Sequence, residues 1–295
     1  MSNDRTRQPE PRYPEFEPLA ETVQRVFDAI AHRTGEPEFP TGIRFLDSGF
    51  GLARQNLVTI AARPGQGKSS LAAQIAYALA QREHRVAYFS LEMTKESLVE
   101  RMFCQQYAVS GFDLLMGAVS PTVTTSAERF TAEITYLPLR IIDDYCFTER
   151  QLYTLIEHLE FRPDVVIVDH LQHIRATERS SAYETYTEYL RYLKELSRRH
   201  KFLCLVISQI NRQGNDLPSL ATLKGTGAIE EMSDLVYLLH DDADLALDAV
   251  GQNFNVHLAK NRFGPTGLLR AYFRPSTYRF FDAVHDAKNP NHDAR

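Results

Sequence analysis

The chain has 295 residues, 43% hydrophobic and 24% charged, enough for one large α/β domain with an appendage and unlike a disordered composition. No stretch approaches the ~20 apolar residues of a membrane-spanning helix, and from the polar start Met1 to Arg12 no secretory signal is expected. A formal net charge of −5 argues against a protein that coats nucleic acid by bulk charge, while leaving room for a local groove or channel.

Residues 1–18 hold Pro9, Pro11, Pro14 and Pro18 among charges of both signs and read as a disordered tail. Leu19, Val23, Val26, Phe27 and Ile30 then fall at i, i+4, i+7, i+8 and i+11, one apolar stripe on a helix. Gly35, Pro37 and Pro40 break the chain after it. Residues 19–40 are therefore expected to be a linker helix and linker, docking on their own domain or on a neighbouring subunit. Residues 41–283 carry the main domain, and 284–295 are expected to be a flexible tail.

Within the main domain, strands and helices alternate. Leu57 to Ala61 predicts a strand, with a helix opening at Gly67 or Lys68. Val86 to Ser90 is a second strand, Glu96 to Val109 a helix, Leu139 to Ile142 a short strand and Glu149 to Glu160 a helix. Val165 to Val168 is wholly apolar; Tyr183, Tyr186, Leu190 and Leu193 mark the inner face of a helix reaching about Arg199; Phe202 to Ser208 is another buried strand. Continuous apolar strands separated by helices imply a parallel sheet covered on both faces. After Ser233 the pattern changes to Leu235 to His240, Asn255 to Lys260, Gly267 to Phe273 and Tyr278 to Phe281, an expected antiparallel extension at one edge. Cys104, Cys146 and Cys204 are too widely spaced for a metal pattern, and Cys204 lies inside an apolar run, so a reduced, cytoplasmic setting is expected.

The sharpest motif is Ala62-Arg63-Pro64-Gly65-Gln66-Gly67-Lys68-Ser69, followed by Ser70, between an apolar strand and a helix. This is a phosphate-binding loop with alanine in place of the usual first glycine. Gly65 and Gly67 permit the backbone angles that turn successive N–H groups inward, and the helix adds its positive end. Lys68 is expected to reach the β- and γ-phosphates of ATP, and Ser69 to ligate Mg²⁺. Asp169, at the carboxyl end of an apolar strand, is the expected second metal-side group. Glu92, just past Val86 to Ser90, is placed to polarise water, or else to cap the helix before which Thr94 stands. Gln209 ends Phe202 to Ser208 and is either a γ-phosphate sensor or an ordinary polar strand end.

Together these residues resemble the motor domain of DnaB-type replicative helicases. The likeness runs through Ala61 to Ser69, Ser90-Leu91-Glu92-Met93, Val168-Asp169-His170-Leu171-Gln172, Ser208-Gln209-Ile210-Asn211-Arg212, Gly227-Ala228-Ile229-Glu230 and Lys260 to Gly267. His170 stands where a tyrosine is usual. The resemblance implies a RecA-like P-loop NTPase core of the α/β class and a homo-oligomeric ring, a hexamer, with nucleotide at each subunit boundary. By position, Glu92 would activate water and Gln209 would couple the γ-phosphate to the following loop. Arg101 would face the phosphates of its own subunit, while Lys260 and Arg262 would reach the neighbour's nucleotide, where an arginine is worth roughly 10³ to 10⁵ in rate.

Single-stranded DNA would be gripped by two loops, one with Arg175 and Arg179, the other from Arg212 to Lys224, Gly225, Thr226 and Gly227. The family's Arg-Glu-Ser-Gly there reads Lys-Gly-Thr-Gly, keeping the positive charge and losing the acid. Lysine with glycine-rich backbone suits phosphate contact without base readout. Only 18 residues precede Leu19, where the family carries a helical collar; the resemblance implies that the helix of residues 19–40 docks on the neighbouring subunit, and the expectation is a minimal, phage- or plasmid-type helicase whose loader or primase partner the sequence does not identify. Two rivals stand beside this reading. A filament-forming recombinase is opposed by the Glu92 and Lys260 to Gly267 motifs. An ATP-dependent switch or loading platform is favoured by the acidic charge and altered loop.

Overall fold

The computed structural model describes residues 18–32, 36–48, 52–143, 149–173, 182–210, 219–220, 226–241 and 251–282. Two compact units result, one containing the first helix and the other beginning at Pro37. In the first unit, α1 (Leu19–Ala31) takes the predicted amphipathic form and buries none of its residues. The apolar stripe of Leu19, Val23, Val26, Phe27 and Ile30 is exposed.

The second unit is an α/β sandwich around a nine-stranded sheet. It begins with the short α2 (Arg44–Asp47), β1 (Leu57–Ala62), α3 (Lys68–Gln81), β2 (Val86–Ser90) and α4 (Lys95–Tyr107). Next come α5 (Gly111–Leu115), α6 (Pro121–Thr135), β3 (Leu139–Ile142), α7 (Glu149–Glu157) and β4 (Val165–Asp169). After these follow α8 (Ala182–His200), β5 (Leu203–Gln209), α9 (Thr226–Met232), β6 (Leu235–Asp241), β7 (Gln252–Asn261), β8 (Gly267–Arg274) and β9 (Arg279–Phe281). The strand order is β3-β2-β4-β5-β1-β6-β7-β8-β9. Strands from β3 to β6 pair in parallel, and β6 to β9 antiparallel, the expected extension at one edge.

The two-residue period of a strand divides the core. Val58, Ile60 and Ala62 of β1 join Leu71, Ala72, Ile75 and Leu98 on one face. Leu57 and Ala61 join Leu152, Leu190, Leu193 and Leu196 on the other. Helix α3 is alanine-rich, a composition that favours helix and lets it lie close to the sheet. Helix α4 is capped by Thr94, whose Oγ1 accepts from Ser97 N at 3.2 Å. Helices α5 and α6 fill a stretch that the apolar periodicity did not resolve; both open on serine caps, Ser110 and Ser120. One expectation fails on α8. Tyr186, Leu190 and Leu193 are buried, but Tyr183 is 50% exposed, and Tyr189 is the tyrosine that fills the core. Tyr183 shares the face of Leu190, seven residues on, but stands in the first turn of α8, and its side chain stays half exposed there.

Candidate nucleotide site

The sheet topology brings four strand ends to one edge. β2, β4, β5 and β1 are consecutive neighbours, all parallel, so the groups that follow their carboxyl ends share one rim. Ser90 is level with Asp169, and Ala62 with Gln209. Such a rim is where open α/β sheets bind ligands.

The loop after β1 is held by its own atoms. Arg63 N donates to Gln66 Oε1 at 3.0 Å, and Lys68 Nζ donates to the Arg63 carbonyl at 3.1 Å. Gly65 and Gly67 lie at φ of +79° and +75°, the left-handed region that L side chains rarely adopt. Gly67 caps α3 without any side-chain hydrogen bond, leaving the first-turn N–H groups to an anion. Behind it Phe273 and Phe280 stack at 4.5 Å between centroids, and a Cβ on Gly67 would stand 3.0 Å from Phe273 Cζ.

Lys68 and Ser69 are both buried, 7% and 8% exposed. Burial lowers the Lys68 pKa, opposed by the charges of Asp169 and Glu92. Asp169 is fully enclosed at the end of β4, and Tyr88 Oη donates to its Oδ2 at 2.7 Å. Burial raises the Asp169 pKa, opposed by Tyr88 and the neighbouring Ser69. Its Oδ1 has no hydrogen-bond partner among the described residues. A buried carboxylate oxygen without a partner, beside a serine hydroxyl, fits a hard divalent cation such as Mg²⁺.

Glu92 does not cap α4, since Thr94 does. Instead Glu92 Oε2 lies 3.2 Å from His170 Nε2. The hydrogen bond from His170 lowers the Glu92 pKa to about 2, against burial and with help from the charges of His170, His173 and Lys68. Gln209 is tied to the β4 end: its N–H donates to Gln172 Oε1 at 3.1 Å, and Gln172 Nε2 donates to Ser208 Oγ at 2.8 Å. Arg101 reaches the site from α4, donating to Ser70 Oγ at 3.2 Å with its guanidinium 5.1 Å from the Tyr278 ring centre. Pro64, Gly65, Gly67, Lys68, Ser69, Ser70, Glu92, Arg101, His170 and Gln209 line one cleft of ≈ 310 Å³. Ala62 lies beneath it as the last residue of β1, and Gln66 turns its amide to Asp241 Oδ1 at 2.7 Å.

Residues the motifs did not single out complete the cleft. Phe273, Pro275 and Tyr278 come from the antiparallel extension. Gln105 bridges the Ser70 and Tyr278 carbonyls, 2.7 Å from each. No local signal marks them, because they meet the loop only through the fold. A larger cleft of ≈ 830 Å³ lies around Arg54, Arg85, Asp164 and Arg199, and none of the phosphate-loop residues line it.

Lys260 and Arg262 are not brought to this site. They lie beside the start of β6, where Val236 pairs with Lys260 and Leu235 with Asn261, whereas the loop lies beyond Ala62, level with Leu239. Lys260 Nζ donates to the Glu230 carbonyl. Arg262 donates to Asp234 Oδ1 at 3.2 Å and to the Glu231 carbonyl at 2.7 Å. Arg175, Arg179, Arg212, Lys224 and Gly225 lie outside the described residues, as do residues 1–17 and 283–295. Thr226 and Gly227 open α9.

The family model described as the DnaB-like helicase C-terminal domain matches residues 39–282. Among curated proteins, the chain is 30% identical over 283 residues to the replicative DNA helicase DnaB of Leifsonia xyli subsp. xyli, covering 91% of this chain and 62% of that protein. It is 28% identical to the replicative DNA helicase DnaB of Geobacillus stearothermophilus, covering 88% of this chain and 60% of the relative. The probable plasmid replicative DNA helicase of Chlamydia trachomatis is also 28% identical, over 82% of this chain and 54% of its own length. The chain thus spans less than two thirds of these relatives. Among solved structures, the ATPase domain of G40P superposes with a TM-score of 0.83 at 22% identity, covering 91% of this chain and all (100%) of that one. A DnaB-like replicative helicase, from a structure that also treats its interactions with primase, superposes with a TM-score of 0.80 at 22% identity, over 91% of this chain and 68% of that one.

Proposed function

The chain belongs to the family of DnaB-like helicase C-terminal domains, and we propose that it is an ATP-driven motor that works as a ring of identical subunits, a hexamer, translocating on single-stranded DNA and unwinding duplex. The observation that carries the reading is the convergence of Lys68, Glu92, His170 and Gln209 on one cleft around an uncapped helix start, with Asp169 enclosed beside it.

In this reading the loop N–H groups and Lys68 hold the β- and γ-phosphates of ATP. Ser69 and Asp169 hold Mg²⁺, which when bound neutralises charge on the phosphate oxygens. Glu92, kept ionised by His170, accepts the proton of the attacking water. Gln209 senses the γ-phosphate, and its tie to Gln172 links the ends of β5 and β4, so a shift at one strand end is felt at the other. Arg101 steadies the phosphates of its own subunit. Lys260 and Arg262, remote from their own loop, serve the nucleotide of the neighbouring subunit. Arg175, Arg179, Arg212, Lys224, Gly225, Thr226 and Gly227 follow the carboxyl ends of β4 and β5 in the chain and contact DNA phosphates.

ATP turnover of the purified chain, with and without single-stranded DNA across a range of protein concentrations, tests the reading. Turnover that climbs steeply with concentration and rises several-fold with DNA is expected, followed by unwinding of a forked duplex. Turnover indifferent to DNA at every concentration would overturn the motor and leave an ATP-dependent switch.

A further inference from the structure

Glu92 is the group on which water activation rests, and it does not stand alone. Leu171 to His173 form one turn of 3₁₀ helix directly after β4, closed by His173 N donating to the His170 carbonyl at 3.1 Å. In such a turn side chains three apart eclipse one another. The imidazoles of His170 and His173 accordingly lie 4.3 Å apart, tilted by 40°. One ligand atom from each of Glu92, His170 and His173 falls within 4.8 Å of the others. We propose that Glu92, His170 and His173 form a binding site for a borderline divalent cation, Zn²⁺ foremost, separate from the Mg²⁺ site of Ser69 and Asp169, and that filling it stops turnover by taking the Glu92 carboxylate.

The donor chemistry selects the ion. Two imidazole nitrogens and one carboxylate suit Zn²⁺ and its neighbours, whereas Mg²⁺ takes oxygen ligands and waters. A tetrahedral Zn²⁺ with bonds of ~2.0–2.1 Å sets its ligand atoms about 3.4 Å apart, so the three side chains close in by about an ångström. The arrangement permits this. His170 is 4% exposed and held by its surroundings, while the Glu92 side chain is 47% exposed and His173 lies at the surface. His170 Nδ1 has no partner among the described residues, so the ring is fastened only through the nitrogen that faces Glu92. A three-ligand site leaves a fourth position to water.

The inhibitory half of the inference rests on the reading of Glu92 as the water-activating group; the binding half does not. The test therefore measures binding first. The full chain is titrated with zinc chloride against a chromophoric indicator, and with cobalt(II) read by its visible absorption, in the wild type, His173→Gln and His170→Gln. Zinc affinity is expected to fall at least roughly tenfold in each variant, and cobalt to give tetrahedral bands without a thiolate charge-transfer band. MgATP turnover of the wild type is expected to vanish on zinc addition, to resist extra Mg²⁺ and to return with chelator, while His173→Gln keeps its turnover in zinc. Equal zinc affinity in the wild type and both variants would overturn the site. Zinc bound through the histidines with turnover untouched would overturn the inhibition. Histidine-dependent zinc binding by a chain with no ATP turnover at all would uphold the site and overturn the reading of the chain as an ATP-driven motor.

Discussion

Replacing Arg262 by alanine separates action within a subunit from action between subunits. Along the sheet Arg262 follows Asn261, which is level with Leu235, while the phosphate loop begins beyond Leu239. At ~3.3 Å per residue the run from Leu235 to Leu239 spans roughly 13 Å, and the guanidinium is turned toward Asp234 and the Glu231 carbonyl. The side chain therefore contributes nothing to its own nucleotide, and Arg262→Ala is expected to bind a fluorescent ATP analogue as the wild type does. The fold survives as well. Asp234 keeps Lys194 and the Leu57 N–H, at 2.7 Å, so losing the half-exposed Arg262 costs about 1 kcal/mol or less, a drop in Tm of about 2–4 °C. Turnover, by contrast, is expected to fall by roughly 10³ to 10⁵ if the guanidinium completes the neighbour's site. Mixing supplies the decisive assay. Lys68→Ala subunits carry an intact Arg262 and a dead loop, and Arg262→Ala subunits carry the reverse. Neither parent turns over ATP, and their mixture regains turnover at the boundaries that join a good loop to a good arginine. A mixture as inactive as its parents, in assemblies shown by native mass spectrometry to contain both, would refute the reasoning, as would wild-type turnover in Arg262→Ala alone.

Glu92→Gln is expected to lower ATP turnover by roughly 10² to 10⁴ while nucleotide binding persists, because the amide cannot take a proton; single-turnover kinetics read this directly. Gly67→Ala forces a left-handed backbone on an L residue, roughly 1–2 kcal/mol, and drives its Cβ to 3.0 Å from Phe273, whereas Gly65→Ala meets nothing within 4 Å. Nucleotide affinity should therefore drop more in Gly67→Ala than in Gly65→Ala, and equal losses by fluorescence titration would contradict the packing argument. Asp164→Asn tests a structural charge. Burial pushes the Asp164 pKa up, but hydrogen bonds from Arg85 and Arg54 overcome it and hold the carboxyl below its usual range. A depressed pKa contributes stability that is complete above the unfolded value, ~3.9 for aspartate, and is lost as pH falls through the folded one. Urea denaturation should show Asp164→Asn less stable by about 2 kcal/mol at neutral pH, with the gap closing below about pH 4; a gap unchanged at low pH would count against the assignment.

Much of this molecule is legible from the chain alone, because its signals are local. The apolar runs at Leu57, Val165 and Phe202 announce buried parallel strands, and the glycines of the phosphate loop announce a backbone that other residues rarely adopt. The switch to shorter, alternating segments after Ser233 announces the antiparallel edge, where β7 buries every second residue from Phe254 to Leu258. Other features had no local signal. Periodicity passed over α6 and placed Tyr183 in the core; it lies on the right face, but only packing decides whether the first turn of a helix is covered. Residue type left Glu92 between a cap and a catalytic role; Thr94 takes the cap and His170 takes the carboxylate. Strand order decided the rest. By setting β2, β4, β5 and β1 side by side, it gathers Glu92, Asp169, Gln209 and Lys68 from across the chain, and by pairing Lys260 with Val236 it carries Lys260 and Arg262 to the far end of the same strands. Side-chain chemistry is written residue by residue, but distance between residues remote in sequence is a property of the sheet, and only its register establishes which charges can meet.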